Sequence, residues 1–228
     1  MSDSPVVLVV GACGLDRLLC VQKYPAADSK IRTTSYHEIG GGNAANTAAT
    51  IGRLTNATFA RNLNIQVKYL GKVGQDPIGQ QLLQELNESN VDTTSPLCLQ
   101  GAIGSTTSFS TIIVSDQDHT RTCLHTPGSC GELTVQDCQN VDMDVVFRNV
   151  VHLHSDSRHT SAALYLAQQA HQRGITVSCD CEKDRNHDDL DQLLQISDII
   201  FTNSGCLGEY LVRLTSKYEQ EQGIKSLH

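Results

Sequence analysis

An aspartate and two asparagines near the amino end of the chain have the chemistry to hold a small ligand that is rich in hydroxyl groups. Asn43 and Asn46 follow the run Gly40-Gly41-Gly42 and are three residues apart, so one helical turn presents both amides on one side. Asp16 follows an apolar run that ends at Gly11, and its carboxylate can accept hydrogen bonds from two adjacent hydroxyls. These three residues are the candidate ligand-binding group.

The glycine run has other interpretations. It can be a plain loop, and Asp16 can be a turn or cap carboxylate. The run matches neither the dinucleotide fingerprint nor the Walker A loop, because it has no third spaced glycine and no Gly-Lys-Ser/Thr. Paired asparagines suit neutral hydroxyls better than phosphates.

A zinc centre is the competing hypothesis. His152 and His154 lie on one face of a predicted strand, as do Cys179 and Cys181 on another, and four such side chains on adjacent strands could approach tetrahedral geometry. Structural zinc sites usually take their ligands from turns with two or more intervening residues, and buried cysteine on strands is common packing. We therefore prefer an interpretation with no zinc bound at these four residues.

The elements needed to position these residues are strands that alternate with helices. Continuous apolar runs at 6–10 and 65–70 predict buried strands, 71–79 a turn, and 43–54 and 78–86 helices. Further on, the pattern predicts strand, helix, strand, helix, strand at these ranges: 145–154, 162–172, 175–181, 190–194 and 198–202. The sequence therefore predicts a doubly wound, mainly parallel α/β sheet, formed by one domain over 1–228.

Two segments do not fit that sheet. Residues 17–39 alternate polar and apolar side chains, and 105–115 can pair back on 120–124 as a hairpin. We expect them to form a small β lid, or clasp, with its segments at about 17–39 and 103–125. In an open α/β sheet, ligands bind beyond the carboxyl ends of the strands, and Asp16 follows the first strand there.

Composition excludes several functional classes. The chain has 228 residues with 39% hydrophobic and 18% charged side chains, typical of a globular protein. A net charge of −8 without a basic cluster argues against a nucleic-acid partner, and no apolar run is long enough for a membrane span. Nine scattered cysteines in such a protein are expected to stay reduced, so we expect a cytoplasmic location.

The motif Gly41-Gly42-Asn43-Ala44-Ala45-Asn46 resembles the first signature of the ribokinase-like (PfkB) carbohydrate kinases. The segment from Lys23 to Arg32 resembles the ketohexokinase branch, and residues 71–79 and 177–183 resemble later family blocks. The likeness runs from about residue 6 to about residue 212. It implies a ribokinase-like fold and transfer of the γ-phosphate of ATP, with Mg²⁺, to a primary hydroxyl of a sugar, with fructose or another ketose favoured.

The resemblance also implies roles for individual residues. The expected sugar-binding residues are Asp16, Gly41, Gly42, Asn43, Asn46 and His154, the last standing where relatives often carry a sugar-contacting glutamate. The expected nucleotide or phosphate residues are Arg121, Asp180, Glu182 and Asn203. A homodimer through the β clasp is implied as well.

The sequence departs from the family in one important respect. The family takes its catalytic base and anion hole from a Gly-Ala-Gly-Asp motif, which the 228 residues lack, so we expect no catalytic residue here and no kinase activity from this chain alone. The string from Gly128 to Glu132 has a superficial likeness, but we interpret it as a loop. We expect a kinase truncated before its ATP-binding end; a pseudokinase that binds sugar without phosphorylating it is the alternative.

Overall fold

Two β-sheets meet near the amino end of the chain in the computed structural model, which describes residues 4–56, 64–94, 98–184 and 188–221. The larger sheet is parallel throughout, and its strands are β1 (Val6–Val10), β4 (Gln66–Gln75), β5 (Val91–Asp92), β6 (Cys98–Ile103), β9 (Val150–Ser155), β10 (Thr176–Cys181) and β11 (Ile199–Thr202). Its order is β11-β10-β9-β1-β4-β5, and β6 also pairs with β4. The predicted doubly wound parallel fold is confirmed.

The smaller sheet is the clasp. It consists of β2 (Gly14–Val21), β3 (Ser35–Gly41), β7 (Phe109–Ser115) and β8 (Thr120–Thr126), in the order β3-β2-β7-β8. The β2–β3 and β7–β8 pairs are antiparallel, and β2 and β7 are parallel. The predicted hairpin across Asp116-Gln117-Asp118 is present, and both predicted lid segments contribute strands to this sheet.

Helices cover the larger sheet on both faces. They are α1 (Asn43–Asn56), α2 (Pro77–Glu88), α3 (Val135–Gln139), α4 (Met143–Val146), α5 (Thr160–Gln172), α6 (Asp188–Ile196) and α7 (Ser204–Glu221). One buried cluster joins α1 and α2 to β1 and β4, and the other joins α3 to α7 with β1, β9 and β10. Small side chains such as Ala44 and Ala48 let α1 lie close on the sheet, as its alanine-rich sequence predicts.

The strand order reverses between β1 and β9. From β1 the chain moves one way to β4 and β5, whereas β9, β10 and β11 extend the sheet the other way. The connections on the two sides of this point cross opposite faces, so the loops diverge and leave a crevice at the carboxyl edge. This switch point is where the fold favours a ligand.

Two boundary predictions are wrong. Residues 71–79 are not one turn, because β4 continues to Gln75 and its second half pairs with β6. A side chain at Gly74 would overlap the backbone at Thr106 and Thr107, so this glycine permits close approach within a strand. The predicted strand 145–154 begins only at Val150, because Asp142 caps the short helix α4 by accepting from the Asp144 N–H.

The sheet ends at β11, where all four residues are exposed. Ile199, Ile200 and Phe201 each leave about half of their surface in solvent, at 45%, 46% and 53%. Within the described part of the chain, no helix is long and apolar enough to cross a membrane.

Asp76 joins the clasp to the larger sheet, and its removal tests that connection. Its carboxylate accepts from the Gly79 N–H at the start of α2 and from the N–H and hydroxyl of Thr107, which leads into β7. Although burial acts to raise it, these hydrogen bonds hold the pKa of Asp76 below its usual value. We expect Asp76→Ala to lower the free energy of unfolding by about 2 kcal/mol in urea denaturation.

The matched control is Asp144→Ala, because the Asp144 side chain is 91% exposed. Its effect should be within about 0.5 kcal/mol. An equal decrease in the free energy of unfolding for the two variants would show that Asp76 does not hold the two sheets together.

Candidate functional site

A buried carboxylate sits at the switch point. Asp156 follows the end of β9, is 1% exposed and was not among the residues singled out from the sequence. One oxygen, Oδ2, accepts from the Ala12 N–H at 2.8 Å and from the Ala44 N–H at 3.1 Å, and Oδ1 accepts from the Arg158 N–H at 3.0 Å. Asp156 therefore ties together the ends of β1 and β9 and the first turn of α1.

Charge and shape both favour this arrangement. The carboxylate faces the first backbone N–H groups of α1, where the helix dipole stabilises negative charge. Gly11 has φ +145°, and a Cβ there would overlap the Asp156 carboxyl group. The Tyr69 hydroxyl donates to the Gly11 carbonyl at 2.7 Å and holds the same turn from the other side. No larger residue would fit at Gly11.

The glycine signature leads directly from the clasp into α1. Gly41 ends β3, and a Cβ on it would overlap the Asp16 carboxyl group, so the aspartate lies directly against this backbone. Gly42 has φ +93°, and a Cβ there would overlap the Ala12 carbonyl. The two glycines therefore let Asp16 and the β1 turn approach the start of α1.

Asp16 belongs to the clasp and not to a loop of the larger sheet. It lies in β2 opposite Ile39 on one side and Ser110 on the other. Burial raises its pKa, while a hydrogen bond from Ser110 and the charge of His125 oppose that rise. The fold thus places a polar serine and a histidine of the hairpin on the same face as Asp16.

The asparagines differ in their surroundings. The Asn43 side-chain N–H donates to Glu182 Oε2 at 3.0 Å, which links α1 to the residue that follows β10. Asn46 is exposed one turn later. The structure therefore places Asp16 against Gly41 at the entry to α1 and Asn43 against Glu182, with Asn46 exposed on α1.

The residues expected on the phosphate side lie in two places. Asp180 is in β10 next to Glu182, and its pKa is raised by burial and by the charges of Glu182 and Asp156, so these three carboxylates are neighbours. The Asn203 side chain donates to the Glu182 carbonyl at 2.8 Å and caps α7 by accepting from the Cys206 N–H. A cleft of about 360 Å³ opens here, lined by Arg158, Glu182, Lys183, Asn203, Gly205, Cys206 and Glu209.

Arg121 is not part of that group. It lies on β8 opposite Val114, which pairs with Cys20, four residues along β2 from Asp16. Four residues of strand span roughly 13 Å, so Arg121 stands near the far end of the clasp. Glu132 also stands apart from this crevice, 4.0 Å from His159 Nδ1.

His154 is buried within the larger sheet. It is 8% exposed, its Nδ1 is 2.9 Å from Ser178 Oγ, and burial lowers its pKa. His152 Nε2 is 2.7 Å from the same hydroxyl. Asp156, two residues after His154, is the carboxylate that directly follows β9.

The zinc hypothesis is wrong. His154 pairs with Ser178 across β9 and β10, whereas Cys179 pairs with Ser155, so the cysteines and the histidines are on opposite faces of the sheet. Cys179 and Cys181 pack in the core with Leu190 and Leu193. Among the described residues, no group of three or more histidine, cysteine or acidic side chains is placed to hold a metal ion.

Comparison with known proteins identifies the fold's relatives. The model of the pfkB family of carbohydrate kinases matches residues 5–214. The chain belongs to this family. An ATP-dependent ribose-1-phosphate kinase of Halopiger xanaduensis is 26% identical over 213 residues, covering 93% of this chain and 65% of its own. Ribokinase of Bacillus subtilis is 32% identical over 87 residues, which are 38% of this chain and 27% of that protein.

The solved structures agree with the family assignment at the level of the fold. Arabidopsis thaliana ribokinase, solved with ribose and ATP, superposes with a TM-score of 0.70 at 18% identity, over 90% of this chain and 61% of that one. The chain thus spans less than two thirds of the length of these relatives. All three are named for ribose or its 1-phosphate and lend no support to the expected ketohexokinase branch.

The role of Asp156 can be tested against that of Asp180, since both are carboxylates at the same sheet edge. Asp156→Ala leaves three backbone N–H groups without their acceptor, so we expect it to lower the free energy of unfolding by about 3 kcal/mol. Asp156→Asn keeps one acceptor oxygen and should lower the free energy of unfolding by less. Asp180→Ala should cost nothing, because its surroundings disfavour the charged form. If denaturant titration finds Asp180→Ala to be the more destabilising change, the assigned role of Asp156 is wrong.

Proposed function

We propose that this chain carries the sugar-binding part of a pfkB-family carbohydrate kinase, and that its substrate is a pentose of the ribose type. The main support for this proposal is the contact of the Asp16 carboxyl group with Gly41 at the entry to α1. It places a carboxylate beside the Gly-Gly-Asn turn at the edge where open α/β sheets bind ligands. The names of the relatives favour ribose over the fructose expected from the sequence.

The chemistry follows from these groups. An ionised Asp16 can accept hydrogen bonds from two sugar hydroxyls, and the turn at Gly41 and Gly42 leaves room for the ring to approach the backbone. Asn43 is held in place by Glu182. In the family reaction the primary hydroxyl of the bound sugar attacks the γ-phosphate of ATP, and fixed orientation of the sugar is the contribution that this chain makes.

ATP and Mg²⁺ are part of the proposal, and the residues present fit them. Magnesium in phosphoryl-transfer sites is usually held by one or two carboxylates together with substrate phosphates and water. Asp180 and Glu182 would supply those carboxylates, and Arg158 and Lys183 in the adjoining cleft would face the phosphates. When bound, the metal would screen the charge of the transferred group.

Localisation and assembly belong to the proposal as well. All nine cysteines lie in the described part of the chain, and all nine are free thiols. Free thiols are typical of a reducing, cytoplasmic compartment. A homodimer through the clasp is supported by its exposed apolar side chains, including Ile39 and Leu124, which are about half exposed. Sedimentation as a monomer at micromolar concentration would contradict the dimer.

Asp16→Ala tests the sugar site directly. Loss of a charge-assisted acceptor should weaken ribose binding by about 2 kcal/mol, roughly thirtyfold, in calorimetric titration. Because the pKa of Asp16 is raised and the ionised form binds, wild-type affinity should fall with decreasing pH at a higher pH than for an ordinary aspartate. Arg17→Ala is the control, since Arg17 points to the other face of the clasp and pairs with Glu38. Equal affinity in wild type and Asp16→Ala would refute the site.

The chain alone should bind sugar without phosphorylating it. Its 228 residues contain no Gly-Ala-Gly-Asp motif to accept the hydroxyl proton and stabilise the transferred phosphate. A coupled assay for ADP release, with Mg²⁺-ATP and ribose or fructose, should therefore give the rate seen without sugar. Sugar-dependent ADP release would show that another residue of this chain acts as the base.

A further inference from the structure

Two cysteines are in contact where α7 meets the sheet. Cys181 is the last residue of β10, and Cys206 is the third residue of α7. Their sulfur atoms are 3.4 Å apart, and the residues are only 2% and 4% exposed. The Cys206 N–H donates to Asn203 Oδ1 at 2.8 Å, which fixes the first turn of the helix. The two thiols are thus held together by the fold.

Only one of the two cysteines lines a cleft among the described residues. Both belong to the buried core, but Cys206 also lines the cleft of about 360 Å³ beside Glu182, whereas Cys181 does not. Two cations, Arg158 and Lys183, and two anions, Glu182 and Glu209, line the same cleft, so its walls carry both charges and suit a small zwitterionic molecule. A reagent that enters the cleft therefore meets Cys206 first, with Cys181 immediately behind.

We propose that Cys206 and Cys181 form a reversible disulfide by exchange with a small disulfide of the glutathione type. The Cys206 thiolate attacks one sulfur of the small disulfide, whose S–S bond breaks and releases one thiol after protonation. Cys181 then loses its proton and attacks the Cys206 sulfur, which releases the second small thiol. The two cysteines are oxidised by two electrons, and the small disulfide is reduced to two thiols.

The required movement is small. A disulfide bond is about 2.0 Å long, so the sulfur atoms have to approach by roughly 1.4 Å. The bond would join β10 covalently to α7 next to Glu182 and Asn203, which line the cleft. Its formation needs the two thiols and the small disulfide, and it does not depend on whether the chain binds a sugar.

The experiment exposes the reduced, folded full chain to glutathione disulfide at neutral pH, then blocks the remaining thiols with N-ethylmaleimide after unfolding. Peptide mass spectrometry should find a cross-link between the peptides of Cys181 and Cys206, and neither of these two cysteines should carry N-ethylmaleimide. Reduction with dithiothreitol before alkylation should return both cysteines to free thiols that N-ethylmaleimide modifies. Alkylation of both cysteines, or cross-links of either one to a different cysteine, overturns the proposal.

Variants separate the two steps. Cys181→Ser should trap one glutathione on Cys206, and Cys206→Ser should leave Cys181 unmodified. Cys123→Ser is the control, since this exposed cysteine of the clasp is remote from α7 and its loss should not change the cross-link. Cys206→Ala repeats the second variant without a hydroxyl, with circular dichroism to verify the fold. Glutathione on Cys181 in a folded Cys206 variant would show that the first attack is assigned to the wrong thiol.

Discussion

The acceptance of three backbone N–H groups by the Asp156 carboxylate is the interaction on which the candidate site depends. It joins two central strands and one helix that are far apart in sequence, at the point where strand order reverses. A buried carboxylate is costly unless its hydrogen bonds are satisfied, and here backbone groups and a helix terminus satisfy it. The same bonds fix the start of α1, and with it the glycines and asparagines that face the crevice.

The environments of Asp16 and Asp180 differ from that of Asp156. Burial raises the pKa of each, so the fold does not favour their charged forms. A protein gains no stability from such groups, and their presence at the crevice is what a binding function requires. This edge of the sheet therefore combines one carboxylate that stabilises the fold with two that we propose as ligand-binding groups.

Much of the fold could be predicted from the sequence, because apolar runs and helical spacing report directly on burial. The strand at 6–10, the alanine-rich helix after the glycines and the hairpin at 109–126 are all present. The misplaced boundaries had local causes: Gly71 and Gly74 lie within β4 because close packing needs them, and Asp142 starts a helix in a stretch whose pattern predicts a strand. The Asp156 site was missed because its three partners are brought near only by tertiary structure. A carboxylate directly after a buried strand was the available signal; Asp16, by contrast, is separated from the end of the first strand by five residues.

The two faces of the strands explain why the predicted zinc site does not form. His152 and His154 share a face, as their spacing predicts, but strand register sets which neighbours share it, and Ser178 occupies the place next to them. A zinc site built from spacing alone fails for that reason.

A crystal structure of the chain with ribose tests the central claim most directly. We expect the sugar in the crevice between β1 and β9, with a hydroxyl about 2.6–3.2 Å from the Asp16 carboxylate and the ring against Gly41 and Gly42. Ribose bound elsewhere, or bound in the crevice with Asp16 turned away from it, would contradict the claim.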